Sequence, residues 1–85
     1  MERQAIFNGI KDILDKYFEI ERINLTESTN LCDDLGADSI DVVSIAIDID
    51  RKFKIETQHE EIEDIWADLT VGYLIDMVQR KMLTA

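Results

Sequence analysis

Apolar residues near the start of the chain recur every three or four positions: Ile6, Phe7, Ile10, Ile13, Leu14, Tyr17 and Phe18. That period lays them along one stripe and predicts a helix from about Glu2 to Glu19. The period then fails. From Ile20 to Asp38 the chain is polar and irregular, with Ile23, Leu25, Leu31 and Leu35 expected to pin a long loop across the core. A loop of that length is uncommon unless it serves a function. Helical spacing returns at Ser39 and predicts a second helix to about Lys52. Thr57 and Glu60 then have the spacing of a capping box, which would open a short helix through about Trp66. Thr70 is placed to cap a last helix with Val71, Leu74, Ile75 and Val78 facing inward. Gly72 weakens that helix without breaking it. No repeat, linker or low-complexity tract interrupts this order. The expected fold is all-α, in one domain over residues 1–85. It is a small four-helix bundle with a long loop between its first two helices and a short third helix.

The second helix carries more apolar residues than one buried face needs. Ile45, Ile49 and Phe53 form one row, and Ile40, Val43 and Ile47 form another. If the first row packs inward, the second lies partly exposed beside Ser39 and Asp41, an apolar strip rimmed by acids that suits partner docking. A slightly different rotation of the helix would bury both rows.

Composition narrows the class. Hydrophobic residues make up 46% of the chain, which is enough for a packed core and argues against disorder. No stretch is apolar for the length of a bilayer, and the first residues lack the apolar core of a secretory leader. Cys32 is the single cysteine, so no internal disulfide can form. These features lead us to expect a cytoplasmic protein.

The net charge is −10, from 19 acidic and 9 basic residues. Between Arg22 and Arg51 there is no base, yet Glu27, Asp33, Asp34, Asp38, Asp41, Asp48 and Asp50 all fall there. A second base-free stretch between Lys54 and Arg80 holds Glu56, Glu60, Glu61, Glu63, Asp64, Asp68 and Asp76. Such a surface repels nucleic acid and anionic membranes and attracts partners with basic patches.

Candidate chemistry concentrates in Asp34-Leu35-Gly36-Ala37-Asp38-Ser39-Ile40-Asp41. A glycine turn leads straight into the second helix and leaves a hydroxyl standing at its start. By spacing alone Ser39 reads as a helix cap, a role for which Asp38 is equally suited. Asp41 in the first turn suits the positive end of the helix dipole. No base lies nearby in sequence, so the hydroxyl is better placed to be modified than to catalyse. Other residues have plainer readings. Acids near Cys32 would raise its pKa. His59 lacks partners for a transition-metal site, and Asp48-Ile49-Asp50 fails as a calcium loop because Lys52 occupies a ligand position and no glycine follows.

The eight-residue run resembles the prosthetic-group attachment motif of the acyl carrier protein family, Asp-Leu-Gly-Ala-Asp-Ser-Leu-Asp, with Ile40 in place of Leu. The resemblance continues in register through Val43, Ile45, Ile49 and Phe53, and again at Thr70-Val71 and Leu74-Ile75-Asp76. It implies that Ser39 is esterified by 4'-phosphopantetheine from coenzyme A, through a separate phosphopantetheinyl transferase that supplies base and Mg²⁺. It implies a carrier and not an enzyme, a phosphoprotein holding acyl groups as thioesters in fatty-acid or related lipid and polyketide biosynthesis. It also implies a monomer whose partner face comprises Asp38, Ile40, Asp41, Val43, Ile47 and, further along, Asp50. That face would meet basic patches on synthases and acyltransferases.

Three departures mark a specialised carrier. Ser44 replaces a usual acid. Arg51 and Lys52 stand where acids are common. The segment after Phe53 is longer, lacks the usual Ile-Pro pair and contains Trp66. A carrier of amino acids, or a non-acylated acidic adaptor of the same fold, are the alternatives.

Overall fold

The computed structural model describes residues 2–57 and 68–84, without the side chain of Thr84. Within them the fold is all-helical. Helix α1 spans Arg3–Leu14, α2 spans Ser39–Phe53 and α3 spans Val71–Thr84. The short helix expected from Thr57 to Trp66 lies almost wholly outside the described residues.

One core joins the three helices. It takes Ile6, Ile10, Ile13 and Leu14 from α1, Val42, Ile45, Ile49 and Phe53 from α2, and Val71, Leu74, Ile75, Met77 and Val78 from α3. These are the rows that helical spacing assigned inward, with Val42 and Met77 added. Helix α1 packs against both other helices. Its approach to α2 is close at Gly9, where a Cβ would stand 2.7 Å from Phe53 Cζ.

Helix α1 ends earlier than its apolar stripe. After Leu14 the bonding tightens, with Lys16 N–H donating to the Ile13 carbonyl and Tyr17 N–H to that of Leu14. The turn carries Tyr17 toward α2, where its hydroxyl donates to Asp48 Oδ2. Tyr17 and Phe18 still pack against the core. The apolar stripe therefore runs on past the end of the helix.

The loop after α1 is more ordered than its polarity suggests. Ile20–Arg22 form a single 3-10 turn with Ile20 buried. Ile23, expected to pin the loop, is instead 41% exposed. Leu31 is fully buried, and Leu25 and Leu35 are half-buried. The loop then pairs with the start of α3. Leu31 N–H donates to the Leu69 carbonyl at 2.9 Å, Val71 N–H to that of Thr29 at 3.0 Å and Gly72 N–H to that of Glu27 at 2.7 Å. Gly72 is therefore kept for contact: a Cβ there would meet Glu27 O at 3.0 Å. The Arg3 guanidinium joins the same region, bonding to Glu27, Asp76 and Gln79. Thr70 caps α3 as expected, its Oγ1 accepting from Tyr73 N–H at 3.1 Å.

Candidate functional site

The turn before α2 is built from side-chain caps. Asn30 Oδ1 accepts from the N–H groups of Cys32 and Asp33, at 2.8 and 2.9 Å. Asp34 answers by accepting from Asn30 N–H at 2.7 Å. This closes the turn Leu31–Leu35, which Gly36 leaves at φ +74°. That left-handed conformation suits glycine, whereas an L side chain is strained there. Ala37 then returns to the core, its N–H donating to the Leu31 carbonyl. Leu31 and Ala37 thus anchor the turn from below, and the next two residues are lifted outward.

Asp38 is the N-cap of α2 and Ser39 is the first helical residue. Asp41 N–H donates to Asp38 Oδ1 at 2.9 Å, and Asp38 N–H donates to Asp41 Oδ2 at 3.3 Å. This reciprocal capping box settles a point that spacing left open. The cap is Asp38, and Ser39 does not perform that task. Ser39 is exposed, and its hydroxyl makes no hydrogen bond among the described residues. The amides of Ser39 and Ile40 have no acceptor within the box. With the helix dipole they form a setting that favours an anion attached at Ser39.

Downstream, Ile40 is 74% exposed, Val43 39% and Ile47 46%. The rotation that would hide both apolar rows is therefore not the one adopted. Asp38, Ile40, Asp41, Val43 and Ile47 border one surface next to Ser39. Asp50 does not stand free with them. Its two carboxylate oxygens accept from Thr57, one from N–H at 3.2 Å and one from Oγ1 at 2.6 Å. Asp50 thereby fixes the chain leaving α2, beyond the left-handed cap at Lys54.

Two neighbouring titratable groups are shifted by their surroundings. The Cys32 thiol is pushed up, first by burial and then by the Asp33 carboxylate. The Tyr17 hydroxyl is also raised, chiefly by its bond to Asp48. Among the described residues no three His, Cys, Asp or Glu side chains converge on a metal position. No helix there is long and apolar enough to cross a membrane. His59 lies outside the described residues.

The sequence reading missed the Asn30–Asp34 pair. Its signal was present, since an Asn followed by acids is a turn-capping pattern. The Tyr17–Asp48 bond had no local signal, because its partners lie far apart in sequence.

Among the described residues, the Ser39 hydroxyl stands exposed and unbonded at the start of a capped helix, open to covalent modification. A family model described as the phosphopantetheine attachment site matches residues 8–78. The chain is 37% identical over 79 residues to an acyl carrier protein of Lactobacillus acidophilus, covering 93% of this chain and 95% of that one. It is 31% identical over 80 residues to that of Thermotoga maritima, covering 94% and 95%. It is 35% identical over 75 residues to that of Wolinella succinogenes, covering 88% and 95%. The chain belongs to the acyl carrier protein family, whose cofactor is 4'-phosphopantetheine.

Proposed function

We propose that Ser39 is the residue that carries the phosphopantetheine arm and that the protein presents acyl thioesters on it. The observation that carries this is the exposed, unbonded Ser39 hydroxyl at the first position of α2, beside a capping box that does not need it. In loading, Ser39 Oγ attacks the phosphorus that bears the pantetheine arm of coenzyme A. An Oγ–P bond forms, the P–O bond of the diphosphate breaks, and adenosine 3',5'-bisphosphate leaves. The hydroxyl proton passes to a base of the transferase, whose Mg²⁺ steadies the diphosphate. This chain supplies the nucleophile and a dipole that favours the new phosphodiester. Asp38 and Asp41 oppose it by like charge, but both carboxylates are engaged in the capping box and border solvent, where counterions screen them.

The exposed strip of Ile40, Val43 and Ile47, with Asp38 and Asp41 at its start, is the face offered to partners. These are the phosphopantetheinyl transferase and synthases or acyltransferases bearing basic patches, in fatty-acid or related lipid and polyketide synthesis. Asp50 belongs to that face through the backbone it fixes more than through a free charge. In this proposal the working form is a cytoplasmic monomer, a single carrier domain. Helices α1, α2 and α3 are three members of its four-helix bundle.

The test is incubation with coenzyme A, Mg²⁺ and a transferase active on other carriers, followed by intact-mass measurement. One arm should add to the wild type and none to Ser39→Ala. No addition to the wild type, or equal addition to the variant, would refute the assignment.

A further inference from the structure

The exposed row on α2 does not stop at Ile47. One further step of four residues reaches Arg51, so Ile40, Val43, Ile47 and Arg51 follow one helical face. At 1.5 Å per residue, the span from Ile40 to Arg51 is about 16 Å. Asp38 and Asp41 stand at one end of it and a guanidinium at the other.

Arg51 is exposed, and no carboxylate pairs with it among the described residues. The acids nearest in sequence are turned elsewhere: Asp48 accepts from Tyr17, and Asp50 accepts from Thr57. Lys52 behaves differently. Its stem passes beside Gly9, and its ammonium lies 4.0 Å from Asp12, so it runs along α1 and away from the row. Both bases in the last turn complement the helix dipole. Only Arg51 also stands in line with the exposed apolar strip.

We propose, building on the docking face described above, that partners read this row by opposite charges at its two ends. A cognate enzyme places a basic group opposite Asp38 and Asp41 and a carboxylate opposite Arg51. Arg51 then selects against enzymes whose groove is basic throughout, because like charges brought together are penalised more than rim pairs are rewarded. Arg51 is thus a specificity residue, and Lys52 is not.

Loading kinetics test this with coenzyme A, Mg²⁺ and a transferase whose carrier groove is basic throughout. Arg51→Glu should raise kcat/KM roughly three- to tenfold at low salt, through KM, and the gain should shrink in about 0.5 M salt. Arg51→Ala should fall between the two, and Lys52→Glu should change loading by less than about twofold. Basic residues lining the transferase groove are then reversed to Glu one at a time. One reversal should favour the wild type over Arg51→Glu. Equal loading of wild type and Arg51→Glu, an equal gain for Lys52→Glu, or no discriminating reversal would overturn the inference while leaving Ser39 as the attachment point. Failure of every form to load would remove the carrier assignment and this inference together.

Discussion

Gly36 offers a test in which the backbone contribution can be isolated. Its φ is +74°, and no heavy atom lies within 4 Å of a Cβ built there. Substitution therefore meets no wall, and conformation alone decides the outcome. Holding an L-residue in the left-handed region costs about 1–2 kcal/mol. Replacing glycine also restricts the unfolded chain, which offsets about 0.4–1 kcal/mol. Gly36→Ala should thus destabilise by roughly 0.5–1.5 kcal/mol, a fall in Tm of about 2–10 °C for a domain of this size. A chemically synthesised chain with D-alanine at position 36 has the opposite preference. It keeps the unfolded-state gain without the penalty, so its Tm should rise by about 2–8 °C. The two enantiomers restrict the unfolded chain about equally, so the gap between them reports the folded backbone alone. The assay is thermal unfolding by circular dichroism of all three chains in one buffer. Equal melting of the L- and D-alanine chains would refute the claim that this turn needs a left-handed residue.

Three further outcomes are expected. Asp38→Ala should cost about 1 kcal/mol in denaturant unfolding, whereas Ser39→Ala should stay within about 0.5 kcal/mol, because Asp38 is the cap. Gly9→Ala should cost about 0–2 kcal/mol net, since a Cβ pressing on Phe53 costs about 1–3 kcal/mol and the helix interior regains about 1 kcal/mol from alanine; a net gain of about 1 kcal/mol would mean the ring moves freely. Stability should respond to pH at both extremes. The Glu27 carboxyl is held below its usual value by bonds from Arg3, so its contribution is present above 4.5 and lost as pH falls through the lowered value. The Tyr17 hydroxyl is raised from 10.0 mainly by Asp48, so its contribution is present below that value and lost as pH rises through the folded one. Glu27→Gln should flatten the acid limb of a melting-against-pH profile, and Tyr17→Phe the alkaline limb.

Helices α2 and α3 were legible because a single period governs them and their inner rows meet one core. The start of α2 was legible too, since a glycine turn followed by Asp38 and Ser39 marks a helix entrance. Which of the two caps it depends on side-chain reach, and periodicity carries no such information. The end of α1 was hidden because Tyr17 and Phe18 continue the apolar stripe through the turn that follows Leu14. Ile23 and Ile20 were misordered in the loop, where no period tells which apolar residue turns inward. Asp50 reads in sequence as one more surface acid, while its bonds to Thr57 emerge only when the chain folds back. Ser39 was legible through a motif as the proposed attachment point, and its spare hydroxyl became visible only once Asp38 and Asp41 were seen to bond each other.

The pairing of the loop with the start of α3 has a bearing on synthesis. The turn beneath Ser39 is held by bonds from Leu31 to Leu69 and from Thr29 to Val71, with Glu27 and Gly72 joined beyond them. Those partners lie 38, 42 and 45 residues apart, about half the length of the chain. A growing polypeptide that has emerged just past Asp41 can make the local bonds of this turn, Asn30 with Asp34, Ala37 with Leu31 and Asp38 with Asp41, but not those that tie it to α3. Such distant closures come late in folding. The local turn and the tie that seats it on the bundle are thus separable, and the tie can form only once residue 72 has been made.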